Sequence, residues 1–255
     1  MLLIDAGNSS AKWVHFLSDD EVQTGVAPFG ELVSRLVEFE TTELVLCSSV
    51  LSEDANASLL LHAGEQGMQC WFAESESELG GLLNSYTNPT AMGVDRWLAM
   101  LGAWTHGRGP CCVGDAGSAL TIDFVAASGA HEGGYILPGT RMMRDSLFSR
   151  TERVRDADEV VASLAPGRST AEAVGRGVTL AQIATVQHAL NLADVSGHRA
   201  RYLSGGGAAA IAPHLDRQGL QAPYLVLEGL LPAAALHGVV GEVDGYLALL
   251  RVAAA

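Results

Sequence analysis

Lysine is almost missing from this sequence. Of its 255 residues only Lys12 is a lysine, and every other fixed positive charge is an arginine. Fifteen basic residues stand against 29 acidic ones, giving a formal net charge of −14. Nucleic acid and anionic membrane carry the same sign, so neither is an expected partner. No apolar run reaches the roughly 18–20 residues that a bilayer span requires. No basic stretch precedes an apolar segment near Met1, so no signal peptide is expected and a cytoplasmic location is. Cysteine is sparse as well. Cys47, Cys70, Cys111 and Cys112 show no CxxC spacing, which argues against a zinc site or a disulfide framework and for buried free thiols. The eight histidines lack metal-ligand spacing.

What is present suits a compact globular protein: 48% hydrophobic and 17% charged residues. The main feature is an internal repeat. Near the start the chain reads Leu2-Leu3-Ile4-Asp5-Ala6-Gly7-Asn8-Ser9 and continues into Ala11–Phe16. In the middle it reads Cys112-Val113-Gly114-Asp115-Ala116-Gly117-Ser118-Ala119 and continues into Thr121–Val125. Each copy is an apolar strand ending in Asp-Ala-Gly, a small polar turn, and a second β-rich strand.

The segments that follow correspond too. Behind the first hairpin the pattern predicts a strand at Gln23–Phe29, a helix at Glu31–Phe39, a strand at Leu44–Val50, a helix at Asp54–Gln66 and a strand at Met68–Ala73. Behind the second it predicts strands at Gly133–Leu137, Ala200–Ser204 and Tyr224–Leu227. Helices are expected at Thr170–Ala193 and Ala208–Leu215, with the last helical region beginning at Leu231–Val240. Gly93–His106 reads as a connecting helix. Three strands followed by alternating helix and strand, twice over, predict an α/β protein of two duplicated domains with mixed sheets, 1–110 and 111–255.

A tight turn between strands leaves backbone N–H groups without ladder partners, and several together form an anion-binding concavity. Glycine brings that backbone close to a phosphate, and the side chains of Asn8, Ser9, Ser10 and Ser118 add donors. A carboxylate cannot favourably face a phosphate directly. Asp5 and Asp115 therefore imply an intervening hard cation such as Mg²⁺. Lys12 is near enough in sequence to reach a β- or γ-phosphate as a point charge. The plain alternative is an ordinary turn, which two such turns in duplicated domains make less attractive. A third piece, Gly205-Gly206-Gly207 between a strand and a helix, offers bare backbone to a flat ring or ribose.

Together these residues resemble the actin, sugar-kinase and heat-shock-chaperone superfamily, in which duplicated ribonuclease-H-like domains hold ATP in an interdomain nucleotide cleft. The finer resemblance is to the type III pantothenate kinases. It rests on Asp5–Ser9, Gly93-Val94-Asp95-Arg96, Asp115–Asp123, Gly133–Gly139 and Thr170–Val174. The resemblance implies ATP-dependent phosphorylation of pantothenate to 4′-phosphopantothenate, the first step towards coenzyme A. It also implies a homodimer and a requirement for a monovalent cation, K⁺ or NH4⁺. On the same ground Asp5, Ala6, Gly7, Asn8, Ser9, Ser10, Ala11 and Lys12 would form the first ATP loop, Ser118 would contact ATP from the second, and Asp115 would bind the monovalent cation. Tyr86, Gly93, Val94, Asp95, Arg96 and Thr170 would contact pantothenate, with Asp95 as proton acceptor. Ser9 and Ser118 stand where threonine is commoner in the family; serine keeps the hydroxyl.

Read without the resemblance, several of these residues have blander roles. Asp95-Arg96 could be a solvated pair at a helix start, where an aspartate favours the dipole. Thr170 could be a helix N-cap, Tyr86 a packed loop ring, and Asp123 an ordinary strand residue. Two other functions stay open at this point. One is a sugar kinase of the same superfamily, although the Cys-rich cluster of its zinc-containing group is missing. The other is a nucleotide-binding regulator without catalysis.

Overall fold

The computed structural model describes residues 1–18, 20–39, 41–148, 164–216 and 219–254. Its strands are β1 (Leu2–Ala6), β2 (Ala11–Phe16), β3 (Val22–Ala27), β4 (Leu44–Ser49), β5 (Gln69–Phe72), β6 (Glu78–Leu79), β7 (Leu82–Leu83), β8 (Cys111–Ala116), β9 (Ala119–Val125), β10 (His131–Pro138), β11 (Ala200–Ser204) and β12 (Leu220–Gln221). Its α-helices are α1 (Phe29–Ser34), α2 (Glu53–Glu65), α3 (Val94–Gly107), α4 (Thr140–Phe148), α5 (Thr170–Val195), α6 (Ala208–Ile211), α7 (Leu225–Leu236) and α8 (Asp244–Ala253).

Two five-stranded sheets repeat one order, β3-β2-β1-β4-β5 and β10-β9-β8-β11-β12. In the first, β1 pairs antiparallel with β2 and β2 with β3, while β4 lies parallel to β1 and β5 parallel to β4. In the second, β11 runs parallel to both β8 and β12. The two-residue turn between β8 and β9 permits only an antiparallel hairpin. The duplication read from Asp-Ala-Gly is thus a duplication of topology, with mixed sheets as expected.

The chain divides into two compact units. One comprises Met1–Gly109, Val125–Glu132 and Tyr224–Ala255, the other Pro110–Phe124 and Gly133–Pro223. The first junction lies between Gly109 and Pro110, and the C-terminal segment from Tyr224 groups with the first unit. In that first unit β1 is buried on both faces: Leu2, Leu3 and Ile4 are fully buried. Burying each such side chain contributes about 1.5–3 kcal/mol. Leu2 and Ile4 join Leu32, Leu36 and Leu59 beneath α1 and α2, while α3 and α7 pack on β4. In the second unit Leu120 and Ile122 of β9 pack with Ile183, Val186 and Leu190 of α5.

Tyr224–Leu227 is not a strand, as the sequence pattern suggested, but the start of α7. Every residue from Leu225 to Leu231 is buried. A helix covered all round shows no 3.6-residue stripe and cannot be told from a buried strand by periodicity. The helix is drawn tight against α3, because a Cβ on Gly229 would run into the Leu98 carbonyl oxygen. Only a residue without a side chain allows that backbone approach.

α7 also buries Glu228, which bonds His106 Nε2 at 2.6 Å and accepts from Arg251 Nε of α8 at 3.0 Å. Burial alone would push its carboxyl up, but the hydrogen bonds and charges of His106 and Arg251 outweigh it and hold the group below its ordinary value. A depressed folded pKa stabilises the fold above the unfolded value, about 4.3, and that contribution is lost as pH falls through the folded value. We therefore expect the melting temperature of the native protein to fall more steeply below pH about 4.3 than that of Glu228→Gln. Parallel acid limbs in thermal melts across pH would contradict this.

The four cysteines are free thiols. Cys47, Cys111 and Cys112 are buried and Cys70 half-buried. Burial pushes Cys70 up to about 11 and Cys111 and Cys112 up to about 12, so none is a ready nucleophile. Among the described residues no helix is long and apolar enough to cross a membrane.

Candidate functional site

The first hairpin carries Asp5 at the end of β1, directly across from Lys12 of β2. The Gly7 amide donates to the Ser10 carbonyl at 3.1 Å, closing a four-residue loop. Asn8, Ser9 and Ser10 stand exposed on it, while Ala6 and Ala11 are buried and anchor its feet. Val50 N also donates to the Ala6 carbonyl, at 3.2 Å, fixing the loop to the end of β4. Lys12 Nζ lies 5.7 Å from the centre of the Tyr224 ring, within cation–π range. The arrangement is a rigid base under a polar tip, as an anion loop requires.

The second hairpin is tighter. Gly117 N donates to the Ala119 carbonyl at 2.9 Å, and Gly139 N to the Ser118 carbonyl at 2.9 Å. Asp115 pairs in register with Ser204 at the end of β11. There Gly205 turns with φ +87°, and Gly207 N reaches the Ala116 carbonyl at 2.9 Å. The three glycines therefore lie directly beside the Asp115-Ala116-Gly117 turn. The two copies differ in one respect: the first loop has two more residues between its strands, and these supply the extra hydroxyls of Ser9 and Ser10.

The Gly93–Arg96 segment opens α3 in the first unit. Gly93 is its N-cap. Asp95 Oδ1 accepts the Arg96 amide at 2.8 Å, which holds the carboxylate at the positive end of the helix. A Cβ on Gly93 would sit 2.5 Å from that same oxygen, so glycine is what lets the carboxylate lie where it does. Beside it is an open cleft of about 490 Å³ at the carboxyl ends of the parallel strands β4 and β5, the usual ligand position of such sheets. Ser49, Ser75, Thr90 and Gly93 give it polar walls, and Leu51 and Met92 apolar ones.

Arg96 is buried, at 7% exposure. Its Nη1 donates to the Tyr86 hydroxyl at 2.9 Å. Tyr86 thus lies against the Gly93–Arg96 segment through Arg96. The aspartate satisfies the helix start, Arg96 is buried rather than solvated, and the cleft beside them is bordered by Gly93 and Val94.

Thr170 is placed differently from the N-cap reading. Ser169 is the N-cap, its hydroxyl accepting from Glu172 N at 3.2 Å, while Glu172 Oε2 accepts from Arg168 N at 2.7 Å. Thr170 is the exposed first residue of α5 in the second unit. Sequence reasoning passed over three residues at these sites: Tyr224 beneath Lys12, and Ser85 and His131 beside Tyr86. Tyr224 and His131 reach their partners only through the fold, and Ser85, although next to Tyr86 in sequence, meets His131 46 positions away, so no local pattern announces these contacts.

A family model described as type III pantothenate kinase matches residues 1–191. The type III pantothenate kinase of Marinobacter nauticus is 38% identical over 248 residues, covering 90% of this chain and 96% of that protein. Among solved structures, a Campylobacter jejuni protein described as a conserved Baf family transcriptional activator aligns with a TM-score of 0.59 at 20% identity, over 94% of this chain and all of that one. A Sinorhizobium meliloti protein described as a 2-dehydro-3-deoxygalactonokinase aligns at 0.57 and 14% identity, over 94% of this chain and 99% of the other. The two structural likenesses speak to fold alone. The sequence matches span the first hairpin, the Gly93–Arg96 segment and the second hairpin, and on them the chain belongs to the type III pantothenate kinase family.

Proposed function

We propose that the protein transfers the γ-phosphoryl group of ATP to the 4′-hydroxyl of pantothenate, giving 4′-phosphopantothenate and ADP. The observation that carries this reading is the placement of Asp95 at the start of α3, beside the polar cleft at the ends of β4 and β5. In family members with this chemistry the protein has little covalent work to do. It must align donor and acceptor, neutralise charge and accept one proton. The loop from Asp5 to Lys12 binds the phosphates, and Ser118 adds a hydroxyl contact from the second hairpin. Gly93, Val94, Arg96, Tyr86 and Thr170 bind pantothenate. Asp95 accepts the hydrogen bond of the substrate hydroxyl and then its proton, as the oxygen bonds to γ-phosphorus and the bond to the ADP oxygen breaks.

Such a kinase uses ATP with a divalent cation. Asp5 and Asp115 are half-buried carboxylates at strand ends. Among the described residues no three acidic, histidine or cysteine side chains form a metal cage. That donor set suits Mg²⁺, which prefers one or two carboxylates with phosphate oxygens and water. Asp5 would hold the divalent ion and Asp115 a monovalent one, K⁺ or NH4⁺. Bound there, the cations supply charge neutralisation on the phosphates. We also place the protein in the cytoplasm, where ATP is available, and read it as a homodimer on the family likeness.

The test is ATP consumption with pantothenate or a hexose as acceptor, with and without K⁺, the product identified by mass spectrometry. Phosphopantothenate formed in a K⁺-dependent way supports the reading. Turnover on the hexose alone would replace it with the sugar-kinase alternative. ATP binding without turnover on either would favour the regulator.

A further inference from the structure

Tyr86 and Arg96 are held by a residue outside every motif considered above. The segment from Gly80 to Tyr86 is clamped along its length. Trp104 Nε1 of α3 donates to the Gly80 carbonyl at 3.2 Å. Leu83 N donates to the Gly129 carbonyl at 2.8 Å, and Leu83 forms a parallel bridge with Ala130. The next residue after that bridge is His131, only 3% exposed. Its Nδ1 shares a 2.8 Å hydrogen bond with Ser85 Oγ, the direction following the ring tautomer. Its ring centre lies 6.2 Å from that of Tyr86, within the range of aromatic pairs. The Tyr86 hydroxyl in turn accepts from Arg96.

We infer that His131 is a positioning residue for pantothenate. It fixes Ser85 and the Tyr86 ring, and through the Tyr86 hydroxyl it orients the guanidinium of Arg96, the residue that follows Asp95 in α3. A buried arginine has five donors in a rigid fork, so a shift of its anchoring partner changes where the whole fork points. The inference rests on the proposed function for its substrate but not for its mechanical content. The polar histidine at this buried position is explained by the tether it makes: an apolar residue would fill the space without holding Ser85.

The experiment joins two readouts on His131→Ala, His131→Asn and the native protein. The first, without substrate, is hydrogen exchange of the 84–89 backbone. It is expected to accelerate at least tenfold in His131→Ala and to return towards native in His131→Asn, whose amide can replace Nδ1 opposite Ser85, opening of a local tether being what exchange reports. The second is steady-state kinetics. We expect the KM for pantothenate to rise roughly tenfold in His131→Ala with the KM for ATP unchanged, as loss of substrate positioning predicts, and to recover in His131→Asn. Unchanged exchange at 84–89 would overturn the inference. So would faster exchange with an unmoved pantothenate KM, or a rise shared equally with ATP, since a merely structural histidine would act that way. If the native protein does not phosphorylate pantothenate at all, the substrate assignment falls, and the exchange result alone then decides whether His131 is the tether.

Discussion

Asp95→Asn is expected to lose at least ~10²-fold in turnover, the usual scale for a missing general base, while ATP binds as before. The substitution is well isolated by the local geometry. Asn keeps the Oδ1 that accepts the Arg96 amide at 2.8 Å, so the helix start, Gly93 and the buried Arg96 keep their arrangement. What it removes is the negative charge and the capacity to take a proton. Titration with a non-hydrolysable ATP analogue and single-turnover phosphopantothenate formation separate the two properties. Full activity in the variant would show that another group accepts the proton.

The second large effect is expected at Lys12→Ala. This is the sole lysine of the chain, set opposite Asp5 at the foot of the Gly7–Ser10 loop. An ammonium aimed at a transferring phosphoryl group is a preorganised charge, and removing one such donor lowers kcat by roughly 10²–10³. Lys12 is only half-buried and its ring contact with Tyr224 is worth about 0.5–1 kcal/mol, so the fold should survive with a nearly native melting temperature. Lys12→Arg keeps the charge but changes the reach and fork geometry, and partial recovery is expected. Kinetics on ATP at saturating pantothenate measure this directly. A variant within threefold of native would remove Lys12 from the phosphate site.

How much of this was legible beforehand depended on where each signal was stored. The two hairpins were readable because apolar strands flank Asp-Ala-Gly turns, a wholly local pattern, and β1, β2 and β11 fall where expected. α5 was equally plain from its helical pattern over Thr170–Ala193, although its cap is Ser169 and not Thr170. The Asp95 cluster was readable as a motif, and its cleft was not, since β4, β5 and α3 meet only in three dimensions. α7 was misread because contact on every side erased its period. α8 keeps a one-sided pattern, with Leu247 and Leu250 buried, but the sequence reading ran the last helical region on from Leu231 without seeing the break after Leu236. α4 was missed although Met143 and Leu147 stand four residues apart at helical spacing; none of its residues is buried, so that face joins no core. His131 and Ser85 lie 46 positions apart, and nothing near either in sequence foretells their contact.

One measurement tests the central claim most directly: a crystal structure of the protein with a non-hydrolysable ATP analogue and pantothenate bound together. The account predicts the terminal phosphate against the Gly7–Ser10 loop and Lys12, and the pantothenate 4′-hydroxyl within hydrogen-bond distance of the Asp95 carboxylate, about 2.6–3.2 Å. Pantothenate bound away from Asp95, or a triphosphate that touches neither Lys12 nor the loop before it, would contradict it.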